Sequence, residues 1–244
     1  MSQTIVIKIG GVASQQLSQD FITQIKSWKE EGKQLLIVHG GGFAISKLME
    51  EEKVPIQKIN GLRVTSKSDM TLVSRALLDI VGKGLCQTLN HAGVPAQQLI
   101  TDIEQVVEAD FLDQMTYGYV GEVSAIHPTI LEKLLSEDKV PLLASMGYSK
   151  HGEQLNINAD YLATAIATAL SAQRLILMTD VKGVLENGMV LPSLSIKQAQ
   201  EKIAQGIITG GMIPKIQSAI KTVQAGVGEV LIGDNLLTGT LIVN

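Results

Sequence analysis

The residues of this chain best placed to handle a small anion are lysines beside glycine clusters. Lys8 interrupts the apolar run TIVIKI and is followed at once by Gly10 and Gly11. In a central strand of a parallel sheet both faces are covered, so a lysine there needs a counter-charge or a ligand. A second apolar run, LLIVH at 35–39, leads straight into Gly40, Gly41 and Gly42. Glycines at the carboxyl ends of strands let backbone N–H groups approach an anion, and the helix that follows adds its positive end. A tight strand-to-helix turn would account for either cluster alone; two at the ends of consecutive strands favour an anion site. The common phosphate loops are absent: there is no G-x-x-x-x-G-K-[ST], and Ile45 stands where G-x-G-x-x-G needs its last glycine.

Four further groups join these candidates. Lys215 follows the pair Gly210-Gly211 near the start of a late helix, where an exposed helix lysine is the plainer reading. Arg63, in NGLRVT, suits bidentate carboxylate recognition or a surface ion pair equally well. Asn156, Asn158 and Asp160 either cap the helix that follows them or hydrogen-bond a substrate. Asp180 to Gly183 follow another apolar strand, in a turn or against a nucleotide. Covalent nucleophilic catalysis is disfavoured, since Cys86 and the serines lack a recognisable base partner and no G-x-S-x-G elbow occurs. The four histidines show no metal-ligand spacing, and a single cysteine forms neither an internal disulfide nor a thiolate cluster.

The elements that must position these groups alternate in type. Thr4–Ile9 reads as a buried strand, 17–31 as an amphipathic helix, 35–39 as a strand and 43–52 as a helix. That βαβα order with short connections predicts a parallel sheet covered on both faces. A long helix is expected over 68–92, with Asp69 and Asp79 on its polar side. The short runs within 97–124 (QLITD, VVEAD, YGYVGEV) suit antiparallel hairpins. Pro128 suits a helix start, 140–145 a strand, and His151-Gly152 a turn within a hairpin. Beyond these, 158–170 reads as a small-residue helix, 175–179 as a strand, 196–205 and 211–225 as helices, and 229–232 and Thr240–Val243 as closing strands.

The expected fold is a three-layer αβα sandwich around a mainly parallel sheet, with β-hairpin insertions. Its 244 residues divide into a lobe at 1–172 and a lobe at 173–244, joined within one continuous sheet and without a flexible linker. Composition narrows the function classes. With 3% aromatic residues and a net charge of −4, the chain has neither the stacking platform nor the basic groove of a general nucleic-acid binder. No stretch approaches the roughly 20 apolar residues of a membrane span. With no secretion signal and one cysteine, the expected location is the cytoplasm.

In order, IKIGG, VHGGG, NGLRVT, NINAD, TDVKG and IITGGMIPK mark the chain as similar to the amino acid kinase family, in its branch acting on N-acetyl-L-glutamate. The likeness runs from about Ile5 to the closing GT-L-I. It implies ATP-dependent phosphorylation of the γ-carboxylate, in arginine biosynthesis, with Mg²⁺ accompanying ATP. It also implies roles residue by residue. Lys8 and Lys215 would stabilise the transferred phosphoryl group, and Asp160 would orient them. Gly41, Gly42, Arg63 and Asn156 would bind the acetylated substrate, with Arg63 on its α-carboxylate. Gly10, Gly11, Asp180, Val181, Lys182, Gly183, Val184, Leu185, Ile207, Ile208 and Thr209 would hold ATP. No metal ligand is implied.

Two departures stand out. Gly210 occupies a place where relatives often carry Asp, and the chain starts shortly before the first strand, where arginine-inhibited members carry an extra helix. The expectation is therefore a homodimer insensitive to arginine. Two readings compete with this one. A kinase for an N-acetylaminoadipate-like acid differs by one methylene, worth only about 1–3 kcal/mol of discrimination. A non-catalytic sensor on the same fold has no evident need for both lysines.

Overall fold

The computed structural model describes residues 3–10 and 16–244, so Gly11 lies outside the described residues. Its centre is one eight-stranded sheet. The strands are β1 (Thr4–Ile9), β2 (Gln34–His39), β3 (Ala96–Gln98), β4 (Val140–Ala144), β5 (Arg174–Met178), β6 (Ser193–Ser195), β7 (Glu229–Gly233) and β8 (Thr240–Val243). They lie in the order β6-β8-β7-β5-β1-β2-β4-β3. Six of the seven pairings are parallel, and only β7–β8 is antiparallel. All strands before residue 172 lie on one side of the β5–β1 junction and all later ones on the other, with hydrogen bonding unbroken across it.

Burial on both faces explains the near-continuous apolar runs. Ile5, Ile7 and Ile9 alternate with Val6: the three isoleucines face one core cluster and Val6 faces the other. The isoleucine face is covered by α1 (Gln19–Glu30) through Phe21, Ile25 and Trp28. The opposite face is covered by α2 (Gly42–Glu51) and others. These include the α-helical part of a long helix, α3, that begins at Asp69, then α4 (Thr129–Ser136), α5 (Ala159–Ala169), α6 (Ile196–Ala204) and α7 (Met212–Gln224). Each fully buried Leu or Ile in these layers contributes about 1.5–3 kcal/mol of apolar transfer. Lys8 follows Val6 by two residues, so it faces the α2, α5 and α7 layer.

The helix expected over 68–92 is continuous but not uniform. It runs as α-helix over Asp69–Ser74, as π-helix over Arg75–Gly82 and again as α-helix over Lys83–His91. Together these form α3.

The expected hairpin exists between Val107–Phe111 and Val120–Ile126. With Met146–Tyr148 and Gln154–Ile157 these strands close a small four-stranded barrel beside the main sheet. The run at 98–102 corrects the hairpin reading. Ala96–Gln98 instead extends the parallel sheet along β4, and residues 103–106 form a single helical turn. A three-residue edge strand carries too little alternation to distinguish a crossover from a hairpin arm.

Two small hairpins went unread although their signal is present. Lys58–Ile59 pairs with Leu62–Arg63 around Asn60-Gly61, and Leu185–Glu186 pairs with Met189–Val190 around Asn187-Gly188. All four turn residues have positive φ, as type I′ turns require. Among the described residues no helix is long and apolar enough to cross a membrane.

Candidate active site

Lys8, near the carboxyl end of the central strand β1, meets Asp160 from the first turn of α5. Its Nζ lies 2.9 Å from Oδ1 and donates to the carbonyl oxygen of Met178 at 3.1 Å. Lys215, in the first turn of α7, donates to Oδ2 of the same carboxylate at 2.8 Å. Each oxygen of the Asp160 carboxylate thus faces one ammonium group, Oδ1 that of Lys8 and Oδ2 that of Lys215. Burial by itself would raise the Asp160 pKa, yet Lys8 and then Lys215 outweigh it and hold the carboxyl below the ordinary aspartate value. The carboxylate therefore stays ionised at neutral pH between two ammonium groups.

Local structure frees Asp160 for this work. Asn158, not Asp160, caps α5: its side chain accepts from the backbone N–H of Asp160 at 2.8 Å and of Tyr161 at 3.3 Å. Capping and charge pairing, which compete for one side chain in the sequence, are divided between two residues. Gly10 makes a different allowance. A Cβ there would lie 2.6 Å from Lys8 Nζ, so the ammonium occupies the space that glycine leaves empty.

Beside this bridge lies a cavity of about 190 Å³. The glycines 40–42, Ile45, Arg63, Asn156, Asn158 and Ala159 line it, which brings Gly41, Gly42, Arg63 and Asn156 to one place. The start of α2 has no side-chain cap, so its first backbone N–H groups lack the partner that a capping side chain would supply. Arg63 is buried, and its Nη2 donates to Ser46 Oγ at 2.7 Å and to the Gly42 carbonyl at 3.2 Å. Burial pushes its pKa down. No acidic side chain pairs with it among the described residues, although a buried cation normally requires one. Asn156 donates to Thr65 Oγ1 at 3.2 Å, and that hydroxyl donates to the Arg63 carbonyl at 3.0 Å. The cavity thus gathers a buried guanidinium, backbone groups of a helix start and an amide side chain.

The expected nucleotide segments occupy the other half of the sheet. Asp180, Val181 and Lys182 are exposed just beyond β5. Lys182 borders a hollow of about 450 Å³ with Asp234, Asn235 and Thr238. Val184 and Ile208 are 2% exposed and packed in the core, so only their backbones are available to a ligand. Leu185 lies in the second small hairpin, and Ile207 to Thr209 lie in the loop between α6 and α7. Like α2, α7 starts without a side-chain cap. Gly210 has φ +55°, in the left-handed region, with nothing within 4 Å of a built Cβ. Backbone conformation thus supplies a reason for glycine there.

The sequence profile of the amino acid kinase family matches residues 3–234. The chain belongs to the amino acid kinase family. A Streptococcus mutans protein named acetylglutamate kinase is 67% identical over 242 residues, covering 99% of both chains. One of that name from Streptococcus sanguinis is 55% identical with the same coverage. A crystal structure from Streptococcus mutans UA159 superposes with a TM-score of 0.92 at 67% identity, covering 100% of this chain and 99% of that one. Carbamate kinase from Giardia lamblia, bound to citric acid, shares the fold alone: TM-score 0.74 at 15% identity, over 99% of this chain and 98% of that one.

Other residues of the cavity carry no reading in the sequence analysis. Lys58 and Ser145 also line the 190 Å³ cavity. The Asn60-Gly61 turn was the available signal for Lys58, because it folds the hairpin back over the cavity. Ser145 carries no local signal; only the pairing of β2 with β4 brings it alongside His39.

Proposed function

We propose that this chain transfers the terminal phosphoryl group of ATP to the γ-carboxylate of N-acetyl-L-glutamate, giving N-acetyl-L-glutamyl 5-phosphate in arginine biosynthesis. One observation carries the reading. Two ammonium groups share the Asp160 carboxylate at 2.9 and 2.8 Å, beside a cavity whose buried guanidinium has no acidic partner among the described residues. The names of the relatives at 67% and 55% identity support the choice of substrate.

The chemistry asks for what these residues supply. A glutamate-type side chain has a pKa of about 4.3, so at neutral pH the acceptor oxygen is already an ionised nucleophile and needs no general base. The obstacle is bringing two anions together in line. Arg63 and Asn156 fix the α-carboxylate end, and the amides of Gly41 and Gly42 hold the reacting carboxylate. Lys8 and Lys215 neutralise charge on the transferring phosphoryl oxygens while Asp160 keeps both ammoniums in place. Gly10 and the uncapped start of α7 face the phosphates, and the family likeness assigns Gly11 to the same group. Asp180 to Leu185 and Ile207 to Thr209 hold the nucleotide.

Among the described residues no group of three or more His, Cys, Asp or Glu could hold a metal. Mg²⁺, where it accompanies ATP, would be held chiefly by the phosphates and would supply neutralising charge there.

The lobe at 1–172 takes the acetylated acid and the dimer contact, and the lobe at 173–244 takes ATP. The working form is a cytoplasmic homodimer, which light scattering checks. ADP release with a panel of acids tests the substrate: N-acetylglutamate should drive it, with glutamate and N-acetylaminoadipate at least about tenfold slower. Faster release with the longer acid would transfer the reading to the aminoadipate-type reaction, and ATP binding without release would favour a sensor.

A further inference from the structure

His39 ends β2 and is fully buried, yet the chemistry above does not use it. Its Nδ1 lies 3.2 Å from the Gly40 carbonyl oxygen. A carbonyl oxygen only accepts, so Nδ1 carries the proton and Nε2 is the bare nitrogen. Nε2 has no partner. Burial lowers the imidazole pKa to about 4, against a weaker opposing effect of the Gly40 bond, so the ring stays neutral at physiological pH.

What encloses the ring is the π-helical part of α3. Gly82 packs so closely that a Cβ there would lie 3.0 Å from His39 Nε2 and 2.5 Å from Gln98 Nε2. Gln98 donates to the Leu78 carbonyl at 2.8 Å, and the same carbonyl accepts the N–H of Lys83, five residues on. The π segment also presses on the loop itself, since a Cβ on Gly41 would meet Leu77 Cδ2 at 2.8 Å. π segments of this kind recur at functional sites.

We propose that His39 is a positioning residue for substrate, locking the Gly40–Gly41 peptide so that the Gly41 N–H is aimed into the acetylglutamate cavity. The Gly40 N–H is already held by the Ile9 carbonyl at 3.1 Å, and His39 holds the Gly40 carbonyl. A trans peptide is planar, with its C=O and the following N–H pointing in opposite directions. Turning the carbonyl toward His39 therefore turns the Gly41 N–H away from it, on the side where Gly41 lines the cavity. The π segment behind the ring keeps the imidazole from rotating away. This inference rests on the proposed function, because it assigns the lock to acetylglutamate binding.

Two measurements on the full-length protein test it. ¹⁵N NMR of the imidazole should show a protonated Nδ1 and a bare Nε2. Steady-state kinetics should show His39→Leu raising KM for N-acetylglutamate about tenfold, with KM for ATP within about twofold. His39→Asn, whose amide nitrogen reaches the Nδ1 position, should return KM to within about threefold of wild type. An Nε2–H tautomer, unchanged KM in His39→Leu, or equal losses in both variants would overturn the lock. Should His39→Leu fail to fold, the tautomer and the Asn variant decide. A wild-type protein with the Nδ1–H ring that makes no acyl phosphate would overturn the function and not the geometry.

Discussion

Gly10→Ala separates the position of the Lys8 ammonium from its presence. Gly10 does not sit at positive φ, so alanine meets no backbone strain. The new Cβ would start 2.6 Å from Nζ and must reach about 3.4 Å, the onset of ordinary contact, a displacement of about 0.8 Å. If that shift lengthens the Asp160 contact from 2.9 Å, the attraction weakens by about 1 kcal/mol at an effective dielectric constant near 20. The larger effect falls on the reaction, where a misplacement of about 1 Å can cost 100-fold. Turnover should therefore fall roughly 10- to 100-fold while stability changes by less than about 1 kcal/mol, since only a flexible side-chain end has to move. ADP release gives kcat and urea unfolding gives stability. A variant with wild-type kcat and unchanged unfolding would refute the claim that Gly10 exists to seat Lys8.

Three other perturbations read different parts of the site. Arg63→Met should raise KM for N-acetylglutamate roughly 10- to 100-fold, the value of a charge-assisted contact, and leave KM for ATP in place; an unchanged KM would remove Arg63 from substrate binding. The same change should not lower stability much, because it deletes a buried cation that has no acidic partner among the described residues. Asp160→Asn should lower kcat about 100-fold or more with the fold intact, through loss of the group that holds both lysines, and a kcat near wild type would contradict that role. Acid should destabilise the protein well above the range in which carboxylates titrate. His39 has a folded pKa of about 4 against 6.5 unfolded, so its contribution is complete above pH 6.5 and is lost as pH falls toward 4. That loss amounts to roughly 3 kcal/mol. Asp160, whose pKa is depressed, adds loss in the same direction at lower pH. Urea midpoints that stay flat from pH 7 to 4.5 would show that the imidazole protonates without cost.

The sequence made the centre of the site readable for a physical reason: a lysine inside an all-apolar central strand has few explanations. Lys8 stood out on that ground, and so did glycines at two successive strand ends. The convergence of Lys8 with Lys215, more than 200 positions away, was invisible to spacing and came only through resemblance to a family. Proximity of α5 and α7 is a property of the packed layer, not of either segment. The division of labour between Asn158 and Asp160 was equally hidden, since either residue type can cap a helix. Val184 and Ile208 show the reverse case: a binding motif says nothing about which of its side chains point into the core. The π segment of α3 leaves no trace in RALLDIVG, whose apolar pattern fits an ordinary helix. The two Asn-Gly turns were legible and carried more information than the runs around them. They fold the two small hairpins, and the first brings Lys58 to the cavity.

The most direct test of phosphoryl transfer to a carboxylate is capture of the product. Protein, ATP and Mg²⁺ are incubated with N-acetyl-L-glutamate and hydroxylamine, and the hydroxamate is identified by mass. N-acetylglutamyl γ-hydroxamate, formed with one ADP each and lost in Lys8→Ala, is the expected result. ADP released without hydroxamate, or hydroxamate formed equally well by Lys8→Ala, would contradict it.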